Sequence, residues 1–215
     1  HENYKSVFDF GCGCGRVARQ MMLQKEAVPE TYVGIDLYIE SIKWASENLS
    51  SFNDAYTFYH HDVYNAQLNP DSDKLLANFP VKGKYTLVNA HSVFTHICEP
   101  NLEHYLSECA RILDDDGVFR STWFLFDKEL LPMMQESQNC LYISLNDPTN
   151  ATIYDYKFLE RMYDAIGMVI YKIIPPEVRG HQWTLLAKQK KSGCKNAEFP
   201  EDVAPIGIAR PPISI

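Results

Sequence analysis

The sequence predicts a doubly wound α/β domain, in which helices cover both faces of a mostly parallel β-sheet. Three observations support this fold class. Strand-like and helix-like segments alternate over residues 6–126, a glycine cluster separates the first strand from the first helix, and two strands with a short connection close the pattern. Because that connection is too short for a parallel crossover, the final strand is expected to run antiparallel to its partner.

Seven strands and four helices follow from the hydrophobic periodicity. The strands are short apolar runs that stop at glycine or at polar residues, and they are expected at 6–10, 32–35, 56–60, 85–90, 118–126, 168–174 and 182–188. The helices carry apolar residues at helical spacing, and they are expected within 16–23, 38–49, 100–113 and 156–166. Residues 128–138 are a further helix candidate, whereas residues 139–152 are polar and irregular.

The chain is interpreted as one domain followed by a tail. Residues 1–191 carry the alternating pattern, and residues 192–215 contain four prolines and no periodicity. The sequence begins at His1 with neither a methionine nor an apolar signal segment, so we expect it to be part of a longer protein. No apolar run approaches the ~20 residues that a membrane-spanning helix needs.

Charge and cysteine usage narrow the class of protein. The formal net charge is −8, and no dense basic cluster of the kind that binds phosphates lies within the domain, so a nucleic-acid partner is not expected. The six cysteines lack the paired spacing of a disulfide framework or a zinc site. We therefore expect reduced thiols, no bound metal and a reducing compartment such as the cytoplasm.

A glycine-rich loop between the first strand and the first helix is the strongest functional signal. Glycines at positions 11, 13 and 15 let the backbone turn tightly and let a ligand approach the main chain. A dinucleotide fingerprint would place its third glycine where Arg16 stands, and no Gly-Lys-Ser/Thr follows, so the spacing fits neither that motif nor a P-loop. The loop indicates a nucleotide or carboxylate ligand at the helix N-terminus.

The segment Asp9-x-Gly11-x-Gly13-x-Gly15 resembles the first motif of the class I S-adenosylmethionine-dependent methyltransferases, which have a Rossmann-like fold. The resemblance extends over residues 7–190 and implies S-adenosylmethionine as the cofactor. It implies that Asp36, after the second strand, holds the ribose hydroxyls, and that Asp62, after the third, faces the adenine amino group. Both carboxylates could instead cap local turns.

The resemblance also implies that the end of the fourth strand contacts the methionine part of the cofactor. The complete set of expected cofactor-binding residues is Asp9, Gly11, Cys12, Gly13, Gly15, Arg16, Asp36, Leu37, Asp62, Val63, Asn89, Ala90 and His91.

A proton acceptor is expected near the carboxyl ends of the fourth and fifth strands, where ligands bind in open α/β sheets. His91 and His96 flank the end of the fourth strand, and Asp127 follows the fifth. Histidine is the natural base near neutral pH, so either histidine is a candidate, with Asp127 as a lesser one. His96 could instead only pack and hydrogen-bond beside the helix that follows.

The acceptor is expected to be a small molecule or a sugar. Segments 92–96 and 124–127 resemble methyltransferases of small-molecule and glycan synthesis, and the Pro-Pro-aromatic and Pro-Cys motifs used for amino groups and cytosine are absent after the fourth strand. Residues 128–155 are the expected lid over this acceptor. Two alternatives stay open: a non-catalytic methyltransferase-like module, and an oxidoreductase that uses NAD.

Overall fold

The computed structural model describes residues 4–176 and 181–200. Its strands are β1 (Ser6–Phe10), β2 (Thr31–Asp36), β3 (Tyr56–His60), β4 (Tyr85–Ala90), β5 (Leu113–Phe126), β6 (Cys140–Tyr142), β7 (Thr152–Asp155), β8 (Met168–Ile174) and β9 (Trp183–Gln189). Its α-helices are α1 (Arg16–Met22), α2 (Ile39–Ala45), α3 (Glu99–Ile112) and α4 (Tyr156–Ala165), and a π-helical turn over Ser46–Ser50 extends α2. The predicted α/β alternation is confirmed.

All nine strands of the described chain form one sheet in the order β3-β2-β1-β4-β5-β7-β6, and β9 lies between β5 and β8. The first five strands pair in parallel. β9 runs antiparallel to both β5 and β8, which confirms the predicted closing strand. One side of β5 therefore serves two partners: β9 pairs with residues 119–123 and β7 with residues 124–126.

The strand count of seven was wrong by two, because residues 139–155 contain strands β6 and β7. These strands have three and four residues, too few to show a period of two in the sequence. The predicted helix at 128–138 is also absent, and only a 3-10 turn forms, over Lys128–Leu130. Pro132 explains this, since it supplies no backbone N–H and disfavours a helical conformation at Leu131.

Helices on both faces bury the sheet, as a doubly wound fold requires. Five apolar residues of α3 are buried against one face: Leu102, Tyr105, Leu106, Cys109 and Ile112. Helix α4 covers the same face and begins where the Asp155 carboxylate accepts the N–H of Phe158 at 3.0 Å. The opposite face packs against α1 and the π-helical turn, through Ala18 and Leu49.

The first part of the predicted tail packs onto the domain. The N–H of Ala197 donates to the Ile170 carbonyl at 2.7 Å, and the ring of Phe199 lies 4.7 Å from that of Tyr156. Residues 201–215 of the tail lie outside the described residues. Within the described ranges, no helix combines the length and the apolar character needed to cross a bilayer.

Candidate functional site

A cavity of about 340 Å³ opens at the carboxyl ends of the parallel strands. This volume is in the range of small-molecule sites. We refer to this cavity as the cleft. Its lining brings together predicted cofactor residues and one predicted catalytic residue, and these are Gly11, Asp36, Leu37, Val63 and His96.

The glycine loop reaches the cleft through Gly11. Gly11 has a φ of 75°, and a Cβ at this position would lie 2.3 Å from Cγ2 of Val93, so no other residue fits. Gly13 has a φ of 53° with no atom within 4 Å of such a Cβ, and its N–H donates to Oδ2 of Asp36 at 2.8 Å. The loop therefore presents bare backbone to the open side.

Asp36 lies at the end of β2 and also orders the backbone around it. Its Oδ2 accepts the Gly13 N–H, and its Oδ1 accepts the N–H of Tyr38 at 2.9 Å. An ionised carboxylate has about four lone-pair sites, so about two remain for ligand hydroxyls. The local capping role and the expected ribose contact are compatible in one side chain.

Asp9 lies beneath the glycine loop, with 1% of its surface exposed. One of its oxygens accepts from the side-chain amide of Asn89 at 2.6 Å, and the other accepts from the Tyr32 hydroxyl. Burial raises its pKa to about 6, against the lowering effect of these hydrogen bonds. Asp9 and Asn89 thus tie β1, β2 and β4 together from below, and neither lines the cleft.

This raised pKa predicts a measurable pH dependence of stability. Its value of about 6 lies above the 3.8 of an ordinary Asp, so the folded protein binds this proton more tightly than the unfolded chain does. The resulting stabilisation is complete below about pH 4 and is lost as the pH rises through about 6. In urea titrations, we expect Asp9→Asn to gain about 2.5 kcal/mol of unfolding free energy relative to the wild type between about pH 4 and pH 7.5.

Asp62→Asn is the matched control. In the wild type, the hydrogen bond from Lys74 is the main cause that lowers the pKa of the Asp62 carboxyl from its usual 3.8 to about 2. Because both values lie well below pH 5, the difference between Asp62→Asn and the wild type should stay flat between about pH 5 and pH 7.5. If the difference in unfolding free energy between Asp9→Asn and the wild type is also flat over that range, Asp9 does not have a raised pKa.

The same Asp62 side chain turns away from the cleft. Its carboxylate accepts from Lys74 Nζ at 2.7 Å and from Asn69 Nδ2 at 3.1 Å, and it is not among the lining residues. Its neighbours His61 and Val63 do line the cleft. The contact of Asp62 with adenine stays a prediction.

Arg120 is a site residue that the sequence reasoning missed. It lies level with Asn89 in the paired register of β4 and β5. Its Nη1 donates to Asn89 Oδ1 at 2.9 Å and lies 3.4 Å from Nδ1 of His91. Among the described residues, its Nε and Nη2 have no hydrogen-bond partner. Arg120 is the one charged residue within the predicted strand at 118–126, and this was the signal that could have found it.

His91 has its hydrogen placed by this arginine. A guanidinium only donates, so Nδ1 of His91 must hold a lone pair and Nε2 must carry the ring hydrogen. Burial, together with the charges of Arg120 and Arg16, lowers the pKa of His91 and favours the neutral ring. His91 is therefore a hydrogen-bond donor through Nε2, beside two arginines, and it does not line the cleft.

The ring hydrogen of His96 lies on the other nitrogen from that of His91. Its Nδ1 lies 2.8 Å from the carbonyl oxygen of Thr149, which can only accept, so Nδ1 carries the hydrogen. In the neutral ring Nε2 then keeps its lone pair, as a proton acceptor must. Of the two histidines, His96 both lines the cleft and has the form of a base.

The lesser candidate, Asp127, lies away from the cleft. Its Oδ1 accepts the N–H of Glu129 at 2.9 Å and lies 3.9 Å from Nζ of Lys157, so it caps the short turn after β5.

In the glycine loop, Cys12 is buried and Cys14 is exposed. The described residues contain no group of three or more His, Cys, Asp or Glu side chains placed to hold a metal ion.

Three further residues that were predicted to bind the cofactor lie in the glycine loop, at the start of α1 and at the end of β4. Gly15 precedes α1 with a φ of 77°, and a Cβ there would lie 2.4 Å from Cδ1 of Leu49. Arg16 is the first, exposed residue of α1, and Ala90 is the buried last residue of β4. These positions put a cation and the helix N-terminus beside the loop.

This architecture defines an α/β protein with a ligand cleft at the carboxyl edge of its sheet. A family model described as a methyltransferase domain matches residues 8–119, just over half of the 215-residue chain. The chain belongs to this methyltransferase-domain family, and its fold is that of the class I S-adenosylmethionine-dependent methyltransferases.

Solved structures agree on the fold. An O-methyltransferase of a trans-AT PKS multienzyme from Brevibacillus brevis, in complex with S-adenosylhomocysteine, has a TM-score of 0.60 and 15% identity, over 86% of this chain and 67% of that chain. A methyltransferase from Clostridium acetobutylicum has a TM-score of 0.57 and 13% identity, over 86% and 83%. Human N-acetylserotonin methyltransferase, solved with S-adenosylmethionine, has a TM-score of 0.56 and 13% identity, over 86% and 48%.

S-adenosylmethionine is the cofactor that this family and fold indicate, and the residues present fit it. Gly13 leaves open space above bare backbone, and Asp36 keeps lone pairs for hydroxyls. Leu37 and Val63 give the cleft apolar walls for a flat base. Arg16 and Arg120 supply positive charge near His91, whose Nε2–H is a further donor, and this arrangement would complement a carboxylate.

Proposed function

We propose that this domain binds S-adenosylmethionine in the cleft and transfers its methyl group to a hydroxyl of a small molecule or sugar. The observation that carries the proposal is the shared lining of the cleft, which contains Gly11 of the glycine loop, Asp36, and His96 with no hydrogen-bond partner on Nε2 among the described residues. A cofactor site and a proton acceptor meet in one cavity.

In this proposal the residues of the chain divide the work of binding. Asp36 accepts hydrogen bonds from the ribose hydroxyls, and Leu37 and Val63 enclose the adenine. Arg16 and Arg120, which lie outside the cleft lining, supply positive charge for the carboxylate of the methionine part, and the neutral His91 donates to it through Nε2. Asp9 and Asn89 act from beneath, since their hydrogen bonds fix the strand ends that carry the loop and His91.

The chemical step needs orientation and one proton acceptor. When bound, the cofactor supplies an electrophilic methyl group on a sulfonium. In that state His96 would take the proton of the acceptor hydroxyl at Nε2 as the methyl group is transferred. The positive charge thereby passes to the imidazole, where the Thr149 carbonyl at Nδ1 stabilises it.

The chemistry of the cleft wall supports an uncharged acceptor. Among the described residues that line it, Asp36, His61 and His96 are the only Asp, Glu, His, Lys or Arg side chains. Gln67, Asn101 and Asn150 add neutral amides, which both donate and accept hydrogen bonds as sugar hydroxyls do. Thr149 and Asn150 come from the segment expected to form the acceptor lid.

Calorimetric titration of the purified protein with S-adenosylhomocysteine tests the cofactor assignment. We expect binding with a Kd in the micromolar range, lost or weakened about 30-fold or more in Asp36→Ala, because a buried hydroxyl contact to a carboxylate disappears. Asp164→Ala is the control, since its carboxylate pairs with Lys190 on the surface at 2.6 Å.

The same titration separates the alternatives. Binding of NAD without S-adenosylhomocysteine would make the protein a nicotinamide enzyme, and binding of neither would leave a non-catalytic module. If S-adenosylhomocysteine binds, its release from S-adenosylmethionine is then followed over a panel of uncharged sugars, phenols, carboxylic acids and amines. Turnover only with charged acceptors would contradict the acceptor class proposed above.

A further inference from the structure

A closed ring of three hydrogen bonds links β5 to the residues flanking β4 and β9 beside the cleft. The N–H of Ser92 donates to Thr122 Oγ1 at 2.7 Å, the Thr122 hydroxyl donates to Gln182 Oε1 at 2.6 Å, and Gln182 Nε2 donates to Ser92 Oγ at 2.5 Å. Ser92 follows β4, Thr122 is in β5, and Gln182 precedes β9. We call these residues the polar ring.

The polar ring holds Ser92 in a conformation that it would rarely adopt alone. Ser92 has a φ of 60°, in the left-handed region. Such strain persists where the surroundings over-determine the backbone, and it concentrates at ligand sites. Here both the N–H and the Oγ of Ser92 are bound within the ring.

Counting hydrogens in the ring shows where the Ser92 hydroxyl can point. Thr122 gives its hydrogen to Gln182, and Ser92 Oγ receives one from Gln182, so the hydrogen of Ser92 itself is not used by any described residue. The reverse amide orientation would make Thr122 Oγ1 accept twice and leave its own hydrogen buried without an acceptor. The ring therefore leaves Ser92 as a donor.

The donor belongs to the cleft. Ser92 lines it together with Gly11 and Asp36, and the next residue, Val93, packs directly on Gly11. We propose that Thr122 and Gln182 are positioning residues, which fix the Ser92 hydroxyl as a hydrogen-bond donor to an acceptor atom of the bound cofactor. This role rests on the proposed function, because it places the cofactor in the cleft.

Titration with S-adenosylhomocysteine tests the ring without an acceptor. We expect Ser92→Ala to raise its Kd about 10-fold, the effect of one lost hydrogen bond. Gln182→Glu should do the same, because a carboxylate can accept from Thr122 but takes the Ser92 hydrogen for itself. Thr122→Val should weaken binding, and Thr122→Ser, which keeps the hydroxyl, should restore it.

The control lies at the other end of β9. Gln189 donates to the Ala110 carbonyl at 2.9 Å away from the cleft, so Gln189→Glu perturbs the strand but should leave the Kd unchanged. Circular dichroism and Tm verify that each variant is folded. If Ser92→Ala and Gln182→Glu are folded and bind S-adenosylhomocysteine with an unchanged Kd, the positioning role of the polar ring is wrong and the proposed function stands. Absence of binding in the wild type overturns the proposed function and, with it, this role.

Discussion

Replacing His96 with alanine is expected to lower kcat for methyl transfer by about 10²- to 10⁴-fold, the usual contribution of a positioned general base. The variant loses the Nε2 lone pair that the hydrogen bond between Nδ1 and the Thr149 carbonyl leaves available in a residue lining the cleft. Release of S-adenosylhomocysteine at saturating S-adenosylmethionine, with the acceptor found in the panel, measures the effect. Added imidazole should recover part of the rate, because the side chain is exposed and leaves an accessible gap.

His104→Ala is the matched control for this prediction. His104 also hydrogen-bonds a carbonyl, that of Ala77 at 3.0 Å, but it lies in α3 and outside the cleft lining. His91→Ala provides the contrast, since a donor next to Arg120 should affect binding of S-adenosylhomocysteine rather than the chemical step. If His96→Ala keeps the wild-type kcat, His96 is not the proton acceptor.

The sequence was sufficient for those parts of the fold that rest on local periodicity. Strand ends agree with the structure to within one residue for the four strands before α3, because each is a mainly apolar run bounded by glycine or polar residues. The glycine loop was equally readable, since three positive φ values near one helix start are a local requirement. The antiparallel end followed from the length of one connection.

What the sequence could not show depends on contacts between distant segments. β6 and β7 are short and become strands by pairing with each other and with the end of β5. The side chain of Asp62 follows its strand at the expected place, but Lys74, twelve residues on, turns it toward the surface. The opposite hydrogen placement in His91 and His96 comes from Arg120 and Thr149, neither of which is near in sequence.

Arg120→Met is expected to raise the Kd for S-adenosylhomocysteine about 10- to 100-fold, the range for hydrogen bonds to a charged group. The reason is the partly buried guanidinium, which has unpartnered Nε and Nη2 groups among the described residues and only Asn89 and His91 as neighbours on Nη1. Methylthioadenosine, which lacks the carboxylate, should bind the variant and the wild type within about twofold of each other. Calorimetry with both ligands gives the comparison.

Arg111→Met serves as the control for this last variant, because it separates loss of binding from loss of stability. Arg111 pairs with the buried Glu108 at 2.6 Å and lies away from the cleft, so its removal should lower Tm and leave both affinities unchanged. Arg120→Lys keeps the charge and should lie between the wild type and Arg120→Met. Equal weakening of both ligands in Arg120→Met would show that Arg120 supports the strand ends through Asn89 and does not hold the carboxylate.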